Sequence, residues 1–180
     1  MEERKLLDEQ TMQRTLARLS HEIIERNEHT NELYLVGIRR RGVPLAERIK
    51  ANIERFSDLT VQLGELDITL YRDDLKELFP KPRLNRTNIP FDVNGKTIVL
   101  VDDVLYTGRT ARAAMDALIE LGRPAAIRLC VMVDRGHREL PIAANFVGKN
   151  IPTAREEFVS VRVSEIDGVN EVTVDRKSDA

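Results

Sequence analysis

The chain has 180 residues, of which 42% are hydrophobic, 32% charged and 4% aromatic, and its formal net charge is −2. That is the size of one domain with room for a full core, and the charge balance excludes a globally basic nucleic-acid binder while leaving room for a local basic face. No apolar run reaches the ~18 residues that a membrane-spanning helix needs, and Met1-Glu2-Glu3-Arg4-Lys5 leads into no apolar stretch of the secretory kind.

A helix is predicted from Asp8 to Asn27, with Asp8 as its cap and Met12, Leu16, Leu19 and Ile23 on one face. Arg14, Arg18 and His21 stand at i, i+4 and i+7 on a different face, with Arg26 less well aligned. Such a row suits RNA phosphates, or else a solvated face balanced by Glu22 and Glu25. Leu33 to Ile38 reads as a short buried strand, ended by Gly37 and the basic cluster Arg39-Arg40-Arg41-Gly42. A second helix runs from about Pro44 to Arg55, with the proline in its first turn. Val61 to Tyr71 is a strand candidate, and Arg72 to Asn94, with three prolines, reads mainly as a long loop. Lys96 to Asp103 is a strongly apolar strand, Gly108 to Leu121 a helix closed by Gly122, and Ala126 to Val133 another buried strand. Cys130, the only cysteine, lies in this last strand, where it acts as a small hydrophobe. Phe146 to Ile151, Phe158 to Val163 and Glu171 to Val174 are shorter strands. The alternation through the middle predicts a parallel α/β sheet. No repeat or internal boundary divides the chain, so residues 1–180 are expected to form a single domain in the cytoplasm.

The chemistry is concentrated in Ile98-Val-Leu-Val-Asp-Asp-Val-Leu-Tyr-Thr-Gly-Arg-Thr110. Ile98 to Val101 is apolar at successive positions, as a strand buried on both faces must be. Asp102 and Asp103 follow at its C-terminal end, the edge where open α/β sheets bind ligands. The turn Thr107-Gly108-Arg109-Thr110 then opens a helix, whose first N–H groups are unsatisfied and favour an anion. Gly108 allows close backbone approach, and the hydroxyls of Thr107 and Thr110 can donate to phosphate oxygens. A phosphate cup beside two carboxylates suits a sugar phosphate. The alternative is that Asp102 and Asp103 merely cap the turn. Neither a P-loop nor a dinucleotide-binding glycine pattern is present.

This segment resembles the phosphoribosyl-pyrophosphate motif of type I phosphoribosyltransferases. The resemblance implies an α/β fold with a central parallel sheet flanked by helices and a small C-terminal or hood β region. It makes Asp102 and Asp103 ligands of the ribose hydroxyls and Tyr106 to Thr110 the 5-phosphate loop. Val104, Leu105, Tyr106, Thr107, Gly108, Arg109 and Thr110 would all line the substrate. Three further segments, Leu66 to Leu75, Val133 to Ile142 and Val147 to Thr153, resemble the pyrimidine operon attenuation regulators. These bind the leader mRNA of pyrimidine genes under control of uridine nucleotides (UMP and UTP) and convert uracil and phosphoribosyl pyrophosphate to UMP and pyrophosphate. Magnesium is expected to arrive with the phosphoribosyl pyrophosphate, with no metal site made by the protein alone.

In that family Arg39-Arg40-Arg41-Gly42 matches the pyrophosphate loop. Arg41 is then the catalytic-site cation beside Asp102 and Asp103, and Arg40 is either a second substrate contact or a solvated charge. Asp73 and Asp74 begin a loop that the resemblance implies closes over the site; Tyr71, Arg72, Arg83 and Arg86 either reach the substrate in a closed form or, Arg83 and Arg86 above all, belong to a solvated loop whose charges only keep it soluble. Uracil is expected over Asp134-Arg135-Gly136, with contacts at Arg135 and Val159, and His137 is assigned to loop structure or RNA contact. The family's RNA surface carries over to Arg18, His21, Arg26 and Arg138, beside Arg14 from the helix row. Many members have Thr at the position of Ala17 and Arg at that of Ala143, losses expected to weaken RNA contact or alter the target. The alternative is a uracil phosphoribosyltransferase with weakened or no RNA regulation. A homodimer or higher homo-oligomer is expected.

Overall fold

Asp8 accepts a hydrogen bond from the N–H of Thr11 at 2.8 Å, and the first helix starts there. In the computed structural model, which describes residues 3–69, 71 and 86–176, a short strand β1 (Arg4–Leu7) precedes this helix, α1 (Glu9–Arg26). The apolar stripe of α1, Met12, Leu16, Leu19 and Ile23, is fully buried. The chain then runs through β2 (Glu32–Ile38), α2 (Gly42–Phe56), β3 (Thr60–Leu66), β4 (Thr97–Leu105), α3 (Arg109–Leu121), β5 (Ala126–Asp134), β6 (Phe146–Asn150), β7 (Glu157–Arg162), α4 (Ser164–Asp167) and β8 (Glu171–Arg176).

Five strands pair in parallel in the order β3-β2-β4-β5-β6. Along β4 the side chains alternate between two cores. Val99 and Val101 pack with α1 and α2, whereas Ile98 and Leu100 pack with the small residues Ala113, Ala114 and Ala117 of α3. The connections from β2 and β4 therefore leave on opposite faces of adjacent strands, and a crevice opens between the two loops. A second sheet, β1-β8-β7, is antiparallel and joins the two ends of the described chain. Arg48 of α2 ties it to the core through Glu165 at 2.9 Å and Asn170 at 2.7 Å.

Several boundaries differ from those the sequence predicts. The strand candidate Val61 to Tyr71 ends at Leu66, because the Asp67 carboxylate turns the chain by accepting from the N–H and hydroxyl of Thr69 at 3.0 and 2.6 Å. β4 continues past Asp103 to Leu105, since Val104 and Leu105 still pair with Val133 and Asp134. Part of the expected loop is ordered into the sheet edge. Glu65 and Asn88 exchange both backbone hydrogen bonds at 2.8 Å. Residues 72–85 lie outside the described part of the chain.

Candidate active site

Because β4 carries through the acidic pair, Asp102 and Asp103 point to opposite faces of the strand. Asp102 is almost buried and its carboxylate accepts the N–H of Asp103 at 2.8 Å; Asp103 in turn accepts the N–H of Val104 at 2.8 Å. Both line one cavity of about 250 Å³, shared with Arg39, Arg40, Arg41, Asp67, Thr69 and Thr110. The crevice at the reversal of strand order thus gathers the basic cluster after β2, the acidic pair and the start of α3.

The turn expected to hold a phosphate has the form its sequence demands. Gly108 sits at the N-cap of α3 with φ +92°, a conformation that side chains rarely adopt. The Thr107 hydroxyl accepts the N–H of Arg109 at 3.2 Å. Residues Tyr106 to Ala111 line a second cavity of about 390 Å³ with Asp102. The first turn of α3 therefore presents its N–H groups beside an acidic side chain, an arrangement for a phosphate attached to a hydroxyl-bearing sugar.

Across the crevice, Gly42 is packed so closely on β4 that an added Cβ would stand 2.3 Å from the Val101 carbonyl oxygen. The three arginines before it have different surroundings. Arg39 pairs with Glu65 at 2.6 Å and Arg40 is exposed, and the peptide between them is cis. Arg41 is held by Asp167 of α4 through two hydrogen bonds of 3.1 and 2.7 Å. That contact raises the guanidinium's affinity for its proton and holds the Asp167 carboxyl below the usual carboxylate range. Arg41 also lines a cavity of about 190 Å³ with Asp103, Asp167 and Val159.

The expected uracil contacts are separated. Val159 faces Asp103 and Arg41, whereas Arg135 is 5% exposed and lies 4.0 Å from the centre of the Tyr106 ring. Arg135 donates to the Thr153 hydroxyl and the Ala154 carbonyl, each at 3.1 Å. His137 adopts a positive φ of 64° and its Nε2 meets the Thr153 carbonyl, so it serves the loop structure. Arg86 lines a larger cavity of about 760 Å³ with Arg39, Arg40 and Asp67. The Tyr71 hydroxyl bonds Glu120 on α3. Arg72, Asp73, Asp74 and Arg83 lie outside the described residues.

On α1, Arg14 and Arg26 are exposed. Arg18 pairs with Glu22 at 2.8 Å and donates to the carbonyls of Val147 and Gly148, and His21 stacks on Phe56 with 4.4 Å between ring centres. Arg138 is turned inward. It donates to the carbonyls of Ile142 and Tyr106, each at 2.8 Å, and pairs with Asp134. Sequence reasoning missed Asp67, Thr69 and Asp167. The Asp-x-Thr spacing announces the first two as a turn, but nothing local announces a partner for Arg41 that is 126 positions away. Among the described residues no three His, Cys, Asp or Glu side chains gather as a metal site.

The fold and the crevice together define a phosphoribosyltransferase, and the family model described as phosphoribosyl transferase domain matches residues 3–166. Solved structures agree on the fold. A hypoxanthine-guanine phosphoribosyltransferase from Bacillus anthracis matches with TM-score 0.72 at 20% identity, covering 94% of this chain and 96% of that one. The hypoxanthine phosphoribosyltransferase of Trypanosoma cruzi matches with TM-score 0.75 at 17% identity, covering 97% of each chain. Much higher identity links the chain to proteins named bifunctional protein PyrR. That of Chloroflexus aurantiacus is 58% identical over 98% of this chain and 97% of its own, and that of Thermus thermophilus 60% identical over 93% of each. The chain belongs to the family of bifunctional PyrR proteins.

Proposed function

We propose that the chain is a bifunctional pyrimidine regulator that converts uracil and phosphoribosyl pyrophosphate to UMP and pyrophosphate and binds pyrimidine leader mRNA according to its uridine-nucleotide occupancy. The observation that carries the catalytic half is the single crevice in which the start of α3, Asp102 and Asp103, and the Arg39–Arg41 loop converge. The first turn of α3 takes the 5-phosphate, the two carboxylates take the ribose hydroxyls, and the arginine loop takes the diphosphate. As the bond from C1 to the diphosphate oxygen breaks, positive charge develops on the ribose beside Asp103, and negative charge grows on the leaving group beside the arginines. Uracil N1 forms the new bond to C1 and its proton passes to solvent. Val159, which lines the cavity of Arg41 and Asp103, bounds the base.

Magnesium fits this donor set. Asp102 and Asp103 line the cavity beside the arginine loop, so an ion that arrives with phosphoribosyl pyrophosphate would meet hard oxygen donors there and would neutralise phosphate charge. The test is UMP formation from uracil with and without magnesium, in the wild type and in Asp103→Asn. Magnesium-dependent turnover that collapses in the variant is expected. Equal rates in the two proteins would remove the acidic pair from the mechanism.

For the regulatory half, Arg14, Arg18, His21 and Arg26 on α1 are the RNA-facing row, and UMP or UTP in the crevice alters RNA affinity by linkage. The family name supports this reading. Ala17 and Ala143 favour a weaker version of it. UMP that leaves RNA affinity unchanged would reduce the chain to a uracil phosphoribosyltransferase. No described helix is long and apolar enough to cross a membrane. We place the protein in the cytoplasm as one domain that assembles into a homodimer or higher homo-oligomer.

A further inference from the structure

The segment from Arg135 to Ile142 grips the phosphate loop from behind. The N–H of Arg135 donates to the Leu105 carbonyl at 3.1 Å, and those of Glu139 and Leu140 both donate to the Thr107 carbonyl, at 2.9 and 3.1 Å. Arg138 supplies the intervening link, to the Tyr106 carbonyl at 2.8 Å. The carbonyls of Leu105, Tyr106 and Thr107 are thus all held by this one segment. Its side chains also cover the loop's glycine, for a Cβ on Gly108 would meet Ile142 at 3.4 Å and Leu140 at 3.5 Å. Glu139 pairs with Arg109 at 3.2 Å.

A peptide unit points its N–H and C=O in opposite directions. Fixing the carbonyls on one side of a loop therefore fixes the amides on the other, and those amides are the groups that meet a phosphate. Arg138 is the organising member. Its forked guanidinium reaches the Tyr106 carbonyl, the Ile142 carbonyl and the Asp134 carboxylate at once, which the single ammonium of a lysine cannot reproduce with the same geometry.

We propose that Arg138 is a positioning residue for 5-phosphate recognition. It holds the Tyr106–Thr107 stretch so that the phosphate-loop amides face the ligand, and its guanidinium serves the nucleotide site from the inside. The proposal rests on the reading that the start of α3 holds the 5-phosphate.

The test compares the affinities of UMP and uridine, two ligands that differ only in the 5-phosphate, for the wild type, Arg138→Ala and Arg138→Lys, with thermal unfolding as a control on folding. Losing charge-assisted hydrogen bonds to the loop should lower the UMP-over-uridine preference by roughly tenfold or more in Arg138→Ala, while uridine affinity stays near that of the wild type. Arg138→Lys, which keeps the ion pair with Asp134, should fold even if the alanine variant does not, and should recover only part of the preference. A preference within twofold of wild type in the folded variants, or one fully restored by lysine, would overturn the proposal. A wild type that prefers UMP but forms none from uracil would sink the catalytic reading alone, and the loss of preference in Arg138→Ala would still support this one. A wild type with no preference for UMP would overturn both.

Discussion

Gly42→Ala should damage the site without touching a substrate-facing side chain. Gly42 begins α2 and lies against the backbone of β4, where an added Cβ would stand 2.3 Å from the Val101 carbonyl oxygen and 3.4 Å from the Asp102 Cα. Ordinary carbon–oxygen contact needs roughly 1 Å more than the first of these distances. The obstacle is main chain in the centre of the parallel sheet, so no rotamer change relieves it. No slack is left toward β2, because the backbone of Gly42 and Val43 already fills the space of a side chain on Gly37, where a Cβ would stand 2.7 Å from the Val43 Cα. The start of α2 must then move outward, carrying Arg39 to Arg41 away from Asp102 and Asp103.

Overpacking of this kind costs about 1–3 kcal/mol, and main chain on both sides puts Gly42 at the upper end. For a chain of this length about 3 kcal/mol lowers the melting temperature by roughly 6–12 °C. Moving the diphosphate loop by about 1 Å can cost on the order of 100-fold in turnover. Thermal unfolding and steady-state kinetics on the purified variant check both numbers. A variant that melts within about 1 °C of wild type, on the scale of a few degrees per kcal/mol, and turns over normally would refute the claim that glycine here sets the spacing between loop and carboxylates.

Acid should loosen the attachment of the hood, the β1-β8-β7 sheet together with α4. Arg41 holds the Asp167 carboxyl below its usual range, and Arg48 does the same to Glu165. Carboxyls with depressed folded values stabilise the native state at neutral pH, and this is lost as pH falls through those values, below about pH 4. Asp167→Asn should flatten the fall of melting temperature over that range, and an unchanged acid profile would show that the pair adds no stability. Cys130 is buried and its thiol is pushed up to about 12, so thiol reagents at pH 8 should label it only after unfolding. Rapid labelling of the native protein would contradict the packing of β5. If α1 carries the RNA, Arg14→Ala should reduce the slope of log affinity against log salt by about 0.7, the value for one lost phosphate contact on a single strand; an unchanged slope would take Arg14 off the interface.

The candidate motif was legible as a structural unit because its parts are neighbours in sequence. A strand buried on both faces, two carboxylates and a glycine turn into a helix each leave a local signature, and all fall between Ile98 and Thr110. The helices were legible for the same reason, through the stripe on α1 and the glycine that closes α3. What escaped was long-range. β1 has four residues and becomes a strand only by pairing with β8 from the far end of the described chain. The fate of Arg41 depends on Asp167 and that of Arg138 on the Tyr106 carbonyl. Charge and spacing alone cannot tell an arginine that meets a ligand from one that grips the backbone beneath it.

That ambiguity bears on how one pocket can serve both catalysis and regulation. Both strands of the crevice end in loops that are held from outside it: the arginine loop by Asp167 of the hood, and the phosphate loop by the Arg135–Ile142 segment. A ligand that draws Arg41 toward its diphosphate competes with Asp167 for the same guanidinium, whereas a ligand that fills only the phosphate loop leaves that pair intact. Phosphoribosyl pyrophosphate and UMP would then differ in their effect on the Arg41–Asp167 pair. If Arg41 meets the diphosphate, the hood would distinguish a substrate-loaded from a nucleotide-loaded protein.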